Sequence, residues 1–294
     1  MKPAIFVTRK LPPAAMALLE ENFEMECNPH NRVLSREELL SAVAGKEGIL
    51  SLLTDTMDGA VMESAGKSLK MIANYAVGFN NIDVSAATKR KIAVSNTPGV
   101  LTDTTADLAM ALILAVARRI VESDIYARAE KYMGWDPLLF MGSDVHHKTL
   151  GILGFGRVGQ ALAKRAAGFD MNILYHNRNR VDPEIEEEIG ATYVDQEMLL
   201  KTSDYVSIHV PLTPETTGLI DSKALTLMKP SAFVINTARG EIIREAELVK
   251  ALAEKKIAGA GLDVFEHEPK IHPGLLKMDN VVILPHIGSA SMET

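Results

Sequence analysis

Three apolar runs in this 294-residue chain each end near a side chain able to do ionic or proton chemistry. Ala232-Phe233-Val234-Ile235-Asn236 leads into Thr237-Ala238-Arg239-Gly240. Gly259-Ala260-Gly261-Leu262-Asp263-Val264 leads into Phe265-Glu266-His267-Glu268-Pro269. Val281-Val282-Ile283-Leu284 leads into Pro285-His286-Ile287-Gly288. An arginine grips a carboxylate with two parallel hydrogen bonds. A histidine gives or takes a proton near neutral pH, and a carboxylate beside it favours the imidazolium form. Taken singly, Arg239, Glu268 and His286 read as a surface cation, a loop acid and a core imidazole. Together at three strand ends they suit reduction of a small keto acid. That reaction needs an anchor for the substrate carboxylate, a proton for the carbonyl oxygen and a hydride. The three are the candidate catalytic residues, and Arg239 is also the candidate anchor.

A holder for the hydride source is legible upstream. Residues 149–153 pass into Gly154-Phe155-Gly156-Arg157-Val158-Gly159 and then Gln160-Ala161-Leu162-Ala163. Strand, Gly-x-Gly-x-x-Gly and helix in that order mark a dinucleotide site, whereas the glycine pattern alone is weak. Gly154 permits the tight turn, Gly156 lets backbone approach a pyrophosphate, and Gly159 lets the helix pack on the strand. N–H groups at the helix start then face the phosphates. Where NAD is preferred, an acid usually stands about 20 residues on. Here the strand 171–175 ends in His176-Asn177-Arg178-Asn179-Arg180, and no acid occurs before Asp182. Asn177 can bond a ribose 2′ substituent, and Arg178 can pair with a 2′-phosphate. NADP(H) is therefore the favoured cofactor and NAD(H) the alternative. On that alternative Arg178 and Arg180 are solvated loop charges.

These residues need a scaffold that gathers strand ends. Strand-like runs occur at 4–7, 49–53 and 69–73, separated by helical patterns at 12–21, 36–43 and 58–65. A second series has strands at 149–153, 172–175, 205–210, 232–236, 258–263 and 281–284. Alternating strands and helices imply parallel sheets covered on both faces. Asn96-Thr97-Pro98-Gly99 breaks the chain between the two series. A long helical pattern then runs from about 104 to 129, with Thr102 or Asp103 placed to cap it. Its segment 108–117 is almost wholly apolar, so it must be buried on most sides, between domains, against a second subunit, or both.

Composition narrows the class. Hydrophobic residues make up 47% and charged residues 23%, as in folded soluble domains rather than disordered chains. The net charge of −7 argues against a nucleic-acid surface. The single cysteine, Cys27, allows no internal disulfide and suits a reducing, cytoplasmic setting. The apolar run at 108–117 is about half the ~20 residues a membrane span needs, so no membrane association is expected. No metal site is expected either.

In type and order these segments resemble the D-isomer-specific 2-hydroxyacid dehydrogenase family. The resemblance rests on Asn74-Tyr75-Ala76-Val77-Gly78-Phe79-Asn80-Asn81-Ile82-Asp83, Asn96-Thr97-Pro98-Gly99, the glycine loop, Asn236-Thr237-Ala238-Arg239-Gly240, residues 261–269 and Pro285-His286-Ile287-Gly288-Ser289, which span nearly the whole chain. Trp135 and the basic loop at 177–180 are most similar to the glyoxylate/hydroxypyruvate reductase branch. The resemblance implies a substrate-orienting Arg239, an acid/base His286 and its partner Glu268. It implies that Val77 and Gly78 lend N–H groups to the substrate carboxylate, and that Asp263 lies near the nicotinamide. Phe155, Gly156, Arg157 and Val158 would hug the pyrophosphate, and Asn177, Arg178, Asn179, Thr237 and Ala238 would complete the cofactor site. Formate dehydrogenase relatives carry Gln where this chain has Glu268, which argues against formate.

The fold so implied has a flavodoxin-like substrate domain from residues 1–98 plus 286–294 and a Rossmann-type cofactor domain at 99–285. The chain ends at Thr294, eight residues after His286, short of a C-terminal helix with which the family returns to the substrate domain. A homodimer with the apolar helix at its interface is expected. The activity expected is reduction of glyoxylate- or hydroxypyruvate-type 2-keto acids to D-2-hydroxy acids with NADPH. One alternative is an NAD-dependent enzyme such as 3-phosphoglycerate dehydrogenase. Another is a non-enzymatic dinucleotide sensor or corepressor on the same scaffold.

Overall fold

The computed structural model describes residues 2–294. The chain divides into two compact units, Met1–Gly99 and Val100–Thr294.

In the first unit, β1 (Ala4–Val7) is followed by α1 (Pro13–Asn22), β2 (Glu24–Cys27), α2 (Arg36–Ala42), β3 (Gly48–Ser51), α3 (Gly59–Ala65), β4 (Met71–Asn74), α4 (Val84–Lys89) and β5 (Ala93–Ser95). The helices begin where their sequences provide for it. Pro13 opens α1, where a missing N–H costs nothing. Ser35 and Glu38 form a reciprocal capping box on α2. Asp58 caps α3 and Asp83 caps α4. The five strands are parallel in the order β2-β1-β3-β4-β5, the flavodoxin-like arrangement.

In the second unit, α5 (Thr102–Ala117) and α6 (Ile120–Arg128) precede β6 (Thr149–Leu153), α7 (Arg157–Ala167), β7 (Asn172–His176), α8 (Pro183–Ile189), β8 (Ala191–Tyr193), α9 (Gln196–Thr202) and β9 (Tyr205–Ile208). Then come α10 (Ser222–Leu227), β10 (Phe233–Asn236), α11 (Glu245–Ala253), β11 (Gly259–Leu262) and β12 (Val281–Ile283). Seven parallel strands lie in the order β12-β11-β10-β9-β6-β7-β8. Counted from β6, that is the Rossmann order with one strand added, and its reversal point falls between β6 and β9. Hydrophobic clusters cover both faces, one around α5 and α7 and the other around α10 and α11. No helix among the described residues is long and apolar enough to cross a membrane.

Three strands went unexpected, and each lies at a sheet edge: β2, β5 and β8. Each is three or four residues long with at most its first residue buried, so it lacks the apolar run of a central strand. The expected single helix at 104–129 is two helices. Its start is capped at Leu101 with no side-chain bond, rather than by Thr102 or Asp103. The break falls at Arg119, which is left-handed at φ 54°. The Ser143 N–H bonds the Ala117 carbonyl at 2.8 Å, so a returning loop supplies the donor that a further helical turn would have supplied. The apolar face of α5, including Ala109, Leu112, Ile113 and Val116, is buried within the second unit's own core against α7, β10 and β11.

The C-terminal segment 286–294, expected with the first unit, lies in the second. The Asp263 carboxylate at the end of β11 accepts the Ile287 and Gly288 N–H groups, each at 2.8 Å. Thr105 Oγ1 donates to the Gly288 carbonyl at 3.0 Å. These bonds hold the segment to the sheet it has just left.

Candidate active site

Gly154 turns the chain at the end of β6 with φ 98°, a conformation that side chains rarely adopt. A Cβ there would also stand 2.5 Å from the Val210 nitrogen. A Cβ on Gly159 would lie 2.3 Å from the Gly154 carbonyl oxygen, so α7 packs onto β6 only as glycine. Gly156, by contrast, has open space where its Cβ would be. It is the N-cap of α7 and makes no side-chain cap bond, so the first helical turn presents its amides outward. The loop thus has the form of a phosphate cradle at a helix start.

The structure divides the expected cofactor residues. Gly156 and Arg157 are exposed and Val158 is half-buried. Phe155 is not open to a phosphate. Its ring is buried against Tyr175, and its N–H donates to Asn177 Oδ1 at 2.6 Å. Asn177 thus keeps its NH₂ end for a ligand. Arg178 and Asn179 are exposed beside it. Arg180 is committed to Glu186, both of whose oxygens it reaches.

Beyond β10, Asn236 shapes the next loop. Its amide donates to the Arg239 carbonyl at 2.8 Å, and its oxygen accepts the Ala238 N–H at 3.0 Å. Thr237 lies here with a buried hydroxyl that has no hydrogen-bond partner among the described residues. A buried hydroxyl in that state costs free energy, and a ligand at the sheet's carboxyl edge would satisfy it. Open cradle and orphaned hydroxyl together fit a dinucleotide. No cluster that could hold a metal occurs among the described residues.

The catalytic candidates sit on neighbouring strand ends, since β10 pairs with β11 and β11 with β12. Arg239 follows β10 and donates to the Ala238 carbonyl at 2.6 Å. Burial lowers its pKa from the usual arginine value, opposed by the charges of Glu268 and Glu241. Glu268 follows β11. Its Oε1 accepts the Phe265 N–H at 3.0 Å, and its Oε2 meets His286 Nδ1 at 2.8 Å. Burial raises the Glu268 carboxyl, but the His286 bond, the His286 charge, the Phe265 amide and the Arg239 charge together hold it below its usual range.

His286 follows β12 in a left-handed conformation, φ 56°, which a non-glycine residue holds only when its surroundings impose it. Here the His286 N–H bonds the Asp263 carbonyl at 2.9 Å, and the Asp263 carboxylate takes the next two amides. Burial raises the Asp263 pKa. Asp263, expected beside the nicotinamide, is thus also the anchor of the histidine loop, a role that its position in sequence did not reveal.

Two glycines outside the fingerprint also matter. A Cβ on Gly240 would lie 1.8 Å from the Phe265 carbonyl carbon, so the Arg239 loop abuts the backbone that leads to Glu268. The Gly288 Cβ position lies 3.2 Å from Asp263 Oδ2, close enough to crowd the anchor. In the first unit, the loop after β4 is held through its carbonyls. Asn96 donates to Val77 O and Asn74 to Gly78 O, each at 2.8 Å. Asn74 is in turn bonded to Ser51 and Asn81. The carbonyls of the expected carboxylate-binding residues are therefore fixed.

Comparison with known proteins places this geometry in context. Residues 110–288 match the family profile described as "D-isomer specific 2-hydroxyacid dehydrogenase, NAD binding domain". The chain is 54% identical over 297 aligned positions to a glyoxylate reductase of Thermococcus litoralis, covering 100% of this chain and 89% of that protein. Among solved structures it is similar to a glyoxylate reductase from Paecilomyes thermophila, with TM-score 0.89, 36% identity and coverage of 99% and 90%. It is also similar to an NADPH-dependent glyoxylate/hydroxypyruvate reductase from Sinorhizobium meliloti in complex with NADP and malonate, with TM-score 0.83, 33% identity and coverage of 100% and 89%.

Proposed function

The chain belongs to the D-isomer specific 2-hydroxyacid dehydrogenases, and on that premise we propose that it reduces glyoxylate, and hydroxypyruvate beside it, to the 2-hydroxy acid with NADPH. The observation that carries the reading is the 2.8 Å pair of His286 Nδ1 and Glu268 Oε2 at the sheet's carboxyl edge. With Nδ1–H given to the carboxylate, Nε2–H is the proton that His286 delivers to the substrate's carbonyl oxygen. Glu268 holds the Nδ1 side of the ring and so sets its orientation. Arg239 neutralises the substrate carboxylate and polarises the carbonyl. In the first unit, Val77 and Gly78 are the candidate N–H donors to a carboxylate.

The cofactor residues proposed are Gly154, Gly156, Arg157, Val158 and Gly159 around the pyrophosphate, with Thr237, Ala238 and Asp263 toward the nicotinamide. Phe155 supports that loop from below. A bound NADPH supplies the hydride to the carbonyl carbon. Asn177, Arg178 and Asn179 meet its 2′-phosphate. Support for NADPH over NADH is the basic run at 177–180 after β7, with no acid before Asp182, and the similarity to the NADPH-dependent Sinorhizobium enzyme. Loss of reduced-nicotinamide absorbance, followed with both cofactors and a 2-keto-acid panel, tests the reading. Turnover of glyoxylate with NADPH is expected, and His286→Ala should abolish it. Equal rates in wild type and His286→Ala would sink it.

The proposal extends to a homodimer in the cytoplasm. Tyr132, Met133, Trp135, Leu138 and Met141 are each at least 60% exposed, an apolar surface that a second copy would cover. The lone cysteine suits a reducing compartment.

A further inference from the structure

We propose that Glu186 and Tyr175 are positioning residues for the adenosine end of the dinucleotide, and that Arg180 is a strut of that loop rather than a phosphate ligand. The proposal rests on the reading of Arg178 as partner of the 2′-phosphate.

Tyr175 is fully buried in β7. Its ring stacks on Phe155 of the glycine loop, with centroids 4.3 Å apart and planes at 24°. Its hydroxyl donates to Glu186 and accepts the Val181 N–H at 3.1 Å. Glu186 has a side chain only 10% exposed. Arg180 grips it through Nε at 2.8 Å and Nη2 at 2.6 Å. The Arg180 and Tyr175 bonds hold the Glu186 carboxyl down at about 2, against the effect of burial. Burial and the Glu186 bond push Tyr175 up to about 12. The carboxylate therefore stays charged through the whole working range, and Arg180 cannot leave without stranding it.

The other end of the loop is fixed independently. Asn177 Oδ1 accepts the Phe155 N–H, and the Asn177 carbonyl accepts the Tyr193 hydroxyl at 3.4 Å. Arg178 thus stands between two pinned residues, exposed, with no ion pair within 4.0 Å among the described residues. Through Phe155 and Tyr175, one network ties the pyrophosphate cradle to the loop that presents Arg178. A loop already ordered loses less freedom when the phosphate arrives.

The test compares the Kd for NADPH and for NADH, read by calorimetry without keto acid, and kcat/KM for each with glyoxylate as acceptor, in Glu186→Gln, Tyr175→Phe and Arg178→Ala. Glu186→Gln should raise the KM for NADPH about threefold to tenfold, as expected for one extra flexible side chain to order on binding. The KM for NADH should rise less, and kcat at saturating NADPH should hold. Tyr175→Phe keeps the stack and the ion pair and should act in the same direction, more weakly; it decides the matter if Glu186→Gln does not fold. Arg178→Ala should lower NADPH preference more than either. If Arg178→Ala shifts the preference while the other two do not, or if they lower kcat equally with both cofactors, positioning is overturned. If Arg178→Ala itself leaves the preference unchanged, the reading of Arg178 falls and the positioning proposal falls with it.

Discussion

Adding one methyl group at Gly240 should cripple this enzyme without touching a catalytic side chain. An ideal Cβ at that position stands 1.8 Å from the Phe265 carbonyl carbon, 2.1 Å from its oxygen and 2.4 Å from the Glu266 nitrogen. All three are backbone atoms, so no side chain can rotate away. Contacts below 3.0 Å are essentially never made by real Cβ atoms, so the loops must part by about 1.2 Å. One of those loops carries Arg239, and the other runs on to Glu268. A misplacement of about 1 Å at reacting groups can cost ~10²-fold in rate, and overpacking of this kind costs about 1–3 kcal/mol of stability. Gly240→Ala should therefore lower kcat/KM for glyoxylate roughly a hundredfold while remaining folded, as judged by urea unfolding. The control is Gly168→Ala, where the nearest atom lies 3.4 Å from the Cβ position and φ is −66°. A Gly240→Ala protein with wild-type kcat/KM would show that the abutting loops do not set the geometry of the site.

Two further outcomes are expected. The Glu268 carboxyl is held below its usual range when folded, so its contribution to stability is complete above the ordinary carboxylate range and is lost as pH falls through its folded value. The difference in urea stability between wild type and Glu268→Gln should therefore shrink on acidification; a difference that grows would contradict the pairing. Replacing Leu138 and Met141 together by glutamate should convert a dimer to a monomer in sedimentation, whereas a wild-type protein that already sediments as a monomer would remove the basis for the dimer.

The central strands and the glycine loop are legible in sequence because each carries a strong local signal. β6, β9, β10 and β11 are buried along their whole length or nearly so, and appear as apolar runs. Of the fingerprint glycines, Gly159 is required by contacts within one strand–turn–helix unit, and Gly154 by its positive φ and by the backbone at His209 and Val210 beyond β9. The edge strands β2, β5 and β8 send no comparable signal, because exposure on one side permits polar residues. The break between α5 and α6 is equally silent, since the donor that ends α5 comes from Ser143, far along the chain.

The same division runs through the site. Residue types and their places at strand ends were enough to single out Arg239, Glu268 and His286, because parallel sheets bring ligands to their carboxyl edge. Which nitrogen of His286 meets Glu268, what fixes its left-handed backbone, and why Gly240 tolerates no side chain depend on strands distant in sequence lying side by side. The basic loop shows the contrast most plainly. Its sequence singles out Arg178 for a 2′-phosphate and gives Arg180 no role, and only the fold, by burying Glu186 under Arg180, shows what Arg180 holds. A buried carboxylate binds its cation far more firmly than a solvated one does, and burial is a property that tertiary structure alone confers.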